Sequence, residues 1–74
     1  YQMPEDKGHK LELYFETTEI DKVYELAVQR KIEILHGIVE QPWQQRIFRM
    51  YDPDRNIIEM GEDMKLVMDR IKAL

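Results

Sequence analysis

Residues 45–60 read QRIFRMYDPDRNIIEM, and the punctuation of this stretch decides the fold. Ile47, Arg49 and Tyr51 alternate with Arg46, Phe48 and Met50, the period of two that a strand imposes on its side chains. Asp52-Pro53-Asp54-Arg55-Asn56 follows, with proline preset for a turn and asparagine tolerant of left-handed geometry. Ile57 to Met60 resumes as a short apolar strand, and Gly61 is expected to break it. Two strands joined by so short a turn must pair antiparallel.

Upstream, the stretch from Ile32 to Val39 is rich in β-branched residues and is closed by Gln41, Pro42 and Trp43, which predicts another strand with a bulge at Gly37. Further upstream, Leu11, Leu13 and Phe15 alternate with Glu12, Tyr14 and Glu16 in a two-faced strand. Between these strands Ile20, Val23, Tyr24 and Ala27 recur at helical spacing, with Thr18 placed to cap and Asp21 in the first turn. After Gly61 a second helix is expected from about Asp63, its stripe formed by Met64, Val67, Met68 and Ile71 and extended by Leu74.

The order is strand, helix, three strands, helix. It predicts an α+β fold: one βαβββ module over residues 10–74 with an added C-terminal helix, preceded by a polar lead-in over residues 1–9. Three strands form an antiparallel meander, and the first joins them through the helical crossover in a curved, mainly antiparallel sheet. Helices on one face leave the other without cover. If Leu11, Leu13 and Phe15 pack under a helix, Glu12, Tyr14 and Glu16 point to the open side.

Composition bounds the function. The chain has 74 residues, of which 43% are apolar, too few to build a large core. With no cysteine it has no disulfide and no thiolate chemistry, which fits a reducing, cytoplasmic setting. Eleven basic against fifteen acidic residues give a net charge of −4, unsuited to coating nucleic acid. No apolar run approaches the roughly 20 residues needed to span a bilayer, so no membrane role is expected. Support must come from a partner or a metal.

Glu12 and Glu59 stand out as carboxylates inside predicted strands, each flanked by apolar neighbours. Read singly, each is a charge on a wet sheet face. Together they gain weight, because a βαβββ sheet can bring its first and last strands side by side. Two convergent carboxylates can bind a divalent ion or act as a general base. His9 falls on the opposite face from Glu12 or precedes the strand, and His36 lies mid-strand beside Gly37, so structural or exposed roles are expected for both. Tyr14, Trp43 and Phe48 are the candidate aromatic ligand contacts. Arg46 and Arg49 face opposite ways, so only one can enter a concave pocket, and Arg46 is carried forward as the candidate.

The segments Gln41-Pro42-Trp43, Arg46 to Asp54 and Asn56 to Met60 resemble the carboxy-terminal half of the glyoxalase, bleomycin-resistance and extradiol-dioxygenase (vicinal oxygen chelate) superfamily, and Leu11 to Thr18 resembles its first strand. The resemblance implies modules that work in pairs, edge to edge, with a site between their concave faces. In metal-dependent members each module gives one ligand from its first strand and one from its last, which correspond here to Glu12 and Glu59. It thus implies a metal-dependent lyase or isomerase, lactoylglutathione-lyase-like, with Glu59 as ligand and Glu12 as ligand or base. Magnesium, manganese, nickel, zinc and iron are all open. The alternative is a non-catalytic small-molecule binding module of the bleomycin-resistance type. Arg55 departs from the glycine usual in the turn, and glutamate replaces the frequent histidine of the first strand. A homodimer, or pairing with a missing N-terminal module, is expected; two copies would present four carboxylates, suited to magnesium, manganese or calcium.

Overall fold

A computed structural model of the chain describes residues 11–73. Strand β1 (Glu12–Thr17) leads through helix α1 (Ile20–Gln29) to β2 (Ile34–Glu40), β3 (Arg46–Tyr51) and β4 (Ile57–Glu62), and helix α2 (Met64–Lys72) follows. The four strands form one sheet in the order β1-β4-β3-β2. β1 runs parallel to β4, whereas β4 with β3 and β3 with β2 are antiparallel. This is the α+β arrangement that the order of apolar segments predicts, with the first and last strands adjacent.

Register assigns the faces. Phe48 lies opposite Met60, and Met60 beside Phe15, so these residues share the face on which α1 packs. Ile20 and Ala27 of α1 and Phe48 of β3 are buried there, with Val23, Tyr24, Ile32, Ile34, Ile38, Met50 and Met60 packed around them. Tyr24 meets Phe48 edge-on, with ring centroids 5.0 Å apart. That geometry favours an aromatic pair by about 0.5–1.5 kcal/mol beyond area burial. Gly37 lies beneath the Tyr24 hydroxyl, where a Cβ would come within 3.2 Å of it, and the ladder to β3 shifts register on either side of His36. The predicted irregularity in this strand is therefore present.

Several local expectations need correction. Gly61 does not end β4, which continues to Glu62. The glycine is needed there because a Cβ would lie 2.6 Å from Gln45 Nε2 and 3.1 Å from the Tyr14 hydroxyl. Thr18 does not cap α1: Glu19 holds the cap position without a side-chain bond, and the Thr17 hydroxyl accepts from Glu19 N–H. In α2, Asp63 is the cap and accepts from Lys65 and Leu66 N–H. Leu13 and Phe15 lie on the α1 side of the sheet yet remain 39% and 51% exposed, because α1 packs across β2, β3 and β4 and leaves the β1 margin uncovered. The lead-in over residues 1–9, His9 and the extension of the α2 stripe to Leu74 lie outside the described residues.

The opposite face is not uniformly open either. In β3 its residues Ile47, Arg49 and Tyr51 are all less than 10% exposed, and Ile57 of β4 is fully buried. The Glu59 side chain beside them is 18% exposed, and that of Glu12 on β1 is 34%. Exposure rises toward the β1 margin.

Candidate functional site

On that second face all four strands contribute one side chain to a cluster around Arg49. Arg49 lies opposite Glu59 in β4 and His36 in β2, while Glu59 is beside Tyr14 and therefore one pleat from Glu12 in β1. The guanidinium divides its donors among three acceptors. Nε donates to Glu12 Oε1 at 2.9 Å, Nη1 to His36 Nε2 at 3.0 Å, and Nη2 to Glu59 Oε1. Arg49 is buried, so these are charge-assisted bonds shielded from water, where they are strongest.

The partners also fix the state of His36. Its Nδ1 lies 2.8 Å from the Gly37 carbonyl oxygen, which can only accept, and its Nε2 faces a guanidinium, which can only donate. His36 is thus the neutral Nδ1–H tautomer, with its Nε2 lone pair aimed at Arg49. The cluster then holds two negative charges and one positive.

A second network adjoins the cluster through Tyr14. Its hydroxyl donates to Glu16 Oε2 and accepts from Gln45 Nε2, both at 2.7 Å. Gln45 Nε2 also donates to the Glu62 carbonyl, and Gln45 Oε1 accepts from Trp43 Nε1. Partial burial raises the Tyr14 phenol above its usual range, and the Glu16 carboxylate pushes the same way. Tyr14 and Trp43 are each about half exposed, so they offer aromatic surface beside the cluster.

Of the residues singled out from sequence, Glu12, Tyr14 and Glu59 share this face, and Trp43 is tied to Tyr14 through Gln45. Phe48 does not join them: it is fully buried under α1. Arg46 is also elsewhere. It pairs with Asp21 and with the buried Glu62, which Arg70 of α2 binds as well. Burial alone would raise the Glu62 carboxyl, but the bonds from Arg70 and Arg46 outweigh it and hold the group at about 2. The arginine that enters the site is Arg49, for which strand alternation gave a choice of two without a direction. His36, for which a structural or exposed role is expected from sequence, meets Arg49 because the register shifts around it, not simple alternation, set where it points.

The donor set does not fit a divalent metal. Glu12 and Glu59, the two carboxylates that would ligate one, are already bridged by a guanidinium at hydrogen-bond distance. An ion seated between them would face that buried cation at close range. Among the described residues no group of three or more acidic or histidine side chains is arranged to hold a metal.

This fold defines a class of protein. Residues 2–65 match the glyoxalase-like domain family, and the chain belongs to it. Among solved structures, a protein of unknown function from Agrobacterium tumefaciens str. C58 is 33% identical with a TM-score of 0.65, aligned over 82% of this chain and 50% of that one. A member of the glyoxalase/bleomycin resistance protein/dioxygenase superfamily from Sphaerobacter thermophilus is 27% identical with a TM-score of 0.65, over 69% of this chain and 41% of that one. A superfamily protein from Nocardioides is 25% identical with a TM-score of 0.66, over 82% and 42%. The chain thus spans about half the length of these structures. No curated protein matches it. Among the described residues no helix is long and apolar enough to cross a membrane.

Proposed function

We propose that the chain forms half of a metal-independent binding site for a small molecule, completed when β1 of one copy lies beside β1 of a second. The observation that carries this reading is the Arg49 guanidinium bridging Glu12 and Glu59, because it places a cation of the protein's own where the lyase reading requires a metal. Support for pairing comes from the rising exposure toward β1 and from relatives twice as long.

The charges select a class of ligand. With His36 neutral, Glu12, Glu59 and Arg49 sum to one negative charge, and Glu16 beside Tyr14 adds another. A ligand that presents a positive charge or hydrogen-bond donors is favoured, and one that presents an oxyanion is repelled. Tyr14 and Trp43 supply stacking surface for an aromatic or cationic group.

A thermal-melt screen of small cationic and neutral aromatic compounds, run with and without chelator, tests this. Stabilisation that is indifferent to chelator and lost in Tyr14→Ala is the expected result. Turnover of a hemithioacetal that stops on adding chelator would instead establish the lyase reading.

A further inference from the structure

We infer that Gln45 is the positioning residue of the binding face. Its carboxamide ties the polar tips of Tyr14 and Trp43 to the backbone of β4, so that the pair offers a ligand two ring surfaces and no free hydrogen-bond donor. The inference rests on the reading of this face as a small-molecule site and deepens it, because it selects a flat aromatic cation over a flat aromatic anion.

The backbone places Gln45 first. Its carbonyl accepts from Gln41 N–H at 2.7 Å, which closes the connection between β2 and β3. Its side chain lies on the face shared by Tyr14 and Gly61 and is buried there, with the residue only 3% exposed. Gly61 leaves the space that the amide fills, since a Cβ at that position would stand 2.6 Å from Gln45 Nε2.

The amide then has one possible orientation. Trp43 Nε1 can only donate, so the atom 2.8 Å from it is the Gln45 oxygen. The Glu62 carbonyl can only accept, so the atom 2.8 Å from it is the Gln45 nitrogen. The other N–H of that nitrogen goes to the Tyr14 hydroxyl at 2.7 Å, and the hydroxyl donates its own proton to Glu16. Every side-chain N–H and O–H of Gln45, Tyr14 and Trp43 is thereby engaged within the protein.

This arrangement selects the ligand. Tyr14 and Trp43 are half-exposed, so their rings can be reached although their donors are taken. A carboxylate or carbonyl group needs a donor that the pair does not have, and a carboxylate also meets the excess negative charge of Glu12, Glu16 and Glu59. A planar cation needs only the ring faces. Holding both rings in place before binding spares the ligand the entropy of ordering them.

Hydrogen exchange of the Trp43 indole N–H, tryptophan emission and titration with two probes test this in wild type and in Gln45→Met, which keeps the side-chain length and removes its bonds. Trp43 is the only tryptophan, so both protein signals have one source. In wild type the indole N–H should exchange at least about tenfold more slowly than in free tryptophan. N-methylquinolinium, a flat cation, should bind wild type at least about tenfold more tightly than naphthalene-2-carboxylate, a flat anion. In Gln45→Met the protection should vanish, the emission should shift to the red and N-methylquinolinium should bind more weakly. An unprotected indole in wild type overturns the inference, as does a folded Gln45→Met variant with wild-type emission and probe affinity. Naphthalene-2-carboxylate binding as tightly as the cation overturns the ligand class. If Gln45→Met does not fold, the wild-type exchange rate and probe preference decide alone. If wild type takes neither probe while its indole is protected, the reading of the face as a ligand site fails and the positioning by Gln45 stands.

Discussion

At the scale of single residues, the charges on the two faces of the sheet do different work. Glu62 shows the structural case: 2% exposed, it accepts from Arg46 N–H, the Arg46 guanidinium and the Arg70 guanidinium. Its folded value of about 2 lies below the ordinary value of 4.5. A depressed carboxyl stabilises the fold at pH above its unfolded value, and that contribution is lost as pH falls from there through about 2. The shift corresponds to at most roughly 3 kcal/mol. Glu62→Gln should therefore be less stable than wild type at pH 7 by about 2–3 kcal/mol in urea unfolding, and the gap should shrink toward pH 2. A gap independent of pH would mean that the bonds to arginine do not depend on the carboxylate charge. Sequence legibility ends at the same scale. Alternation showed that Arg46 and Arg49 look to opposite sides, but their sides are set by which face α1 covers. That depends on Phe48 meeting Tyr24, a contact between distant segments.

At the scale of elements, the turn between β3 and β4 was the most legible feature because its chemistry is local. Asp52 Oδ1 accepts from Asp54 and Asn56 N–H, its Oδ2 accepts from Asn56 Nδ2, and Arg55 N–H closes the turn onto the Asp52 carbonyl. Arg55 takes the left-handed conformation, with φ of 68°, that a glycine would adopt without steric cost. Its guanidinium stacks over Tyr51 at 4.1 Å and pairs with Glu33 at 2.8 Å, which offsets the strain. Arg55→Ala keeps the strain and loses both contacts, whereas Arg55→Gly loses the contacts but relieves the strain. The glycine variant should exceed the alanine variant in stability by about 1 kcal/mol in chemical denaturation. Equal stabilities would show that the left-handed geometry carries no cost here. The end of β4 was less legible, because Gly61 reads as a breaker in isolation. Its role appears only when Gln45 and Tyr14, from two other segments, close over it.

At the scale of the whole molecule, the shortage of core inferred from 74 residues becomes a matter of location. The inner strand β3 is largely buried on both faces, while β1, one of the two edge strands, carries Leu13, Tyr14 and Phe15 at 39%, 48% and 51% exposure. A sheet edge with a free ladder and apolar side chains pairs with another chain unless it is protected. ELYFET, the sequence of β1, contains neither lysine nor proline; its charges, Glu12 and Glu16, lie on the Arg49 face, and the α1-side residues Leu13 and Phe15 are apolar. The proposed pairing along β1 would bring two Arg49 clusters to one shared site, which is the central claim. Sedimentation equilibrium of the wild-type chain and of Phe15→Asp tests it most directly. The account predicts twice the 9.0 kDa chain mass for wild type and a shift toward 9.0 kDa for the variant. A wild-type chain that stays at 9.0 kDa across the accessible concentration range, or a dimer indifferent to Phe15→Asp, would contradict it.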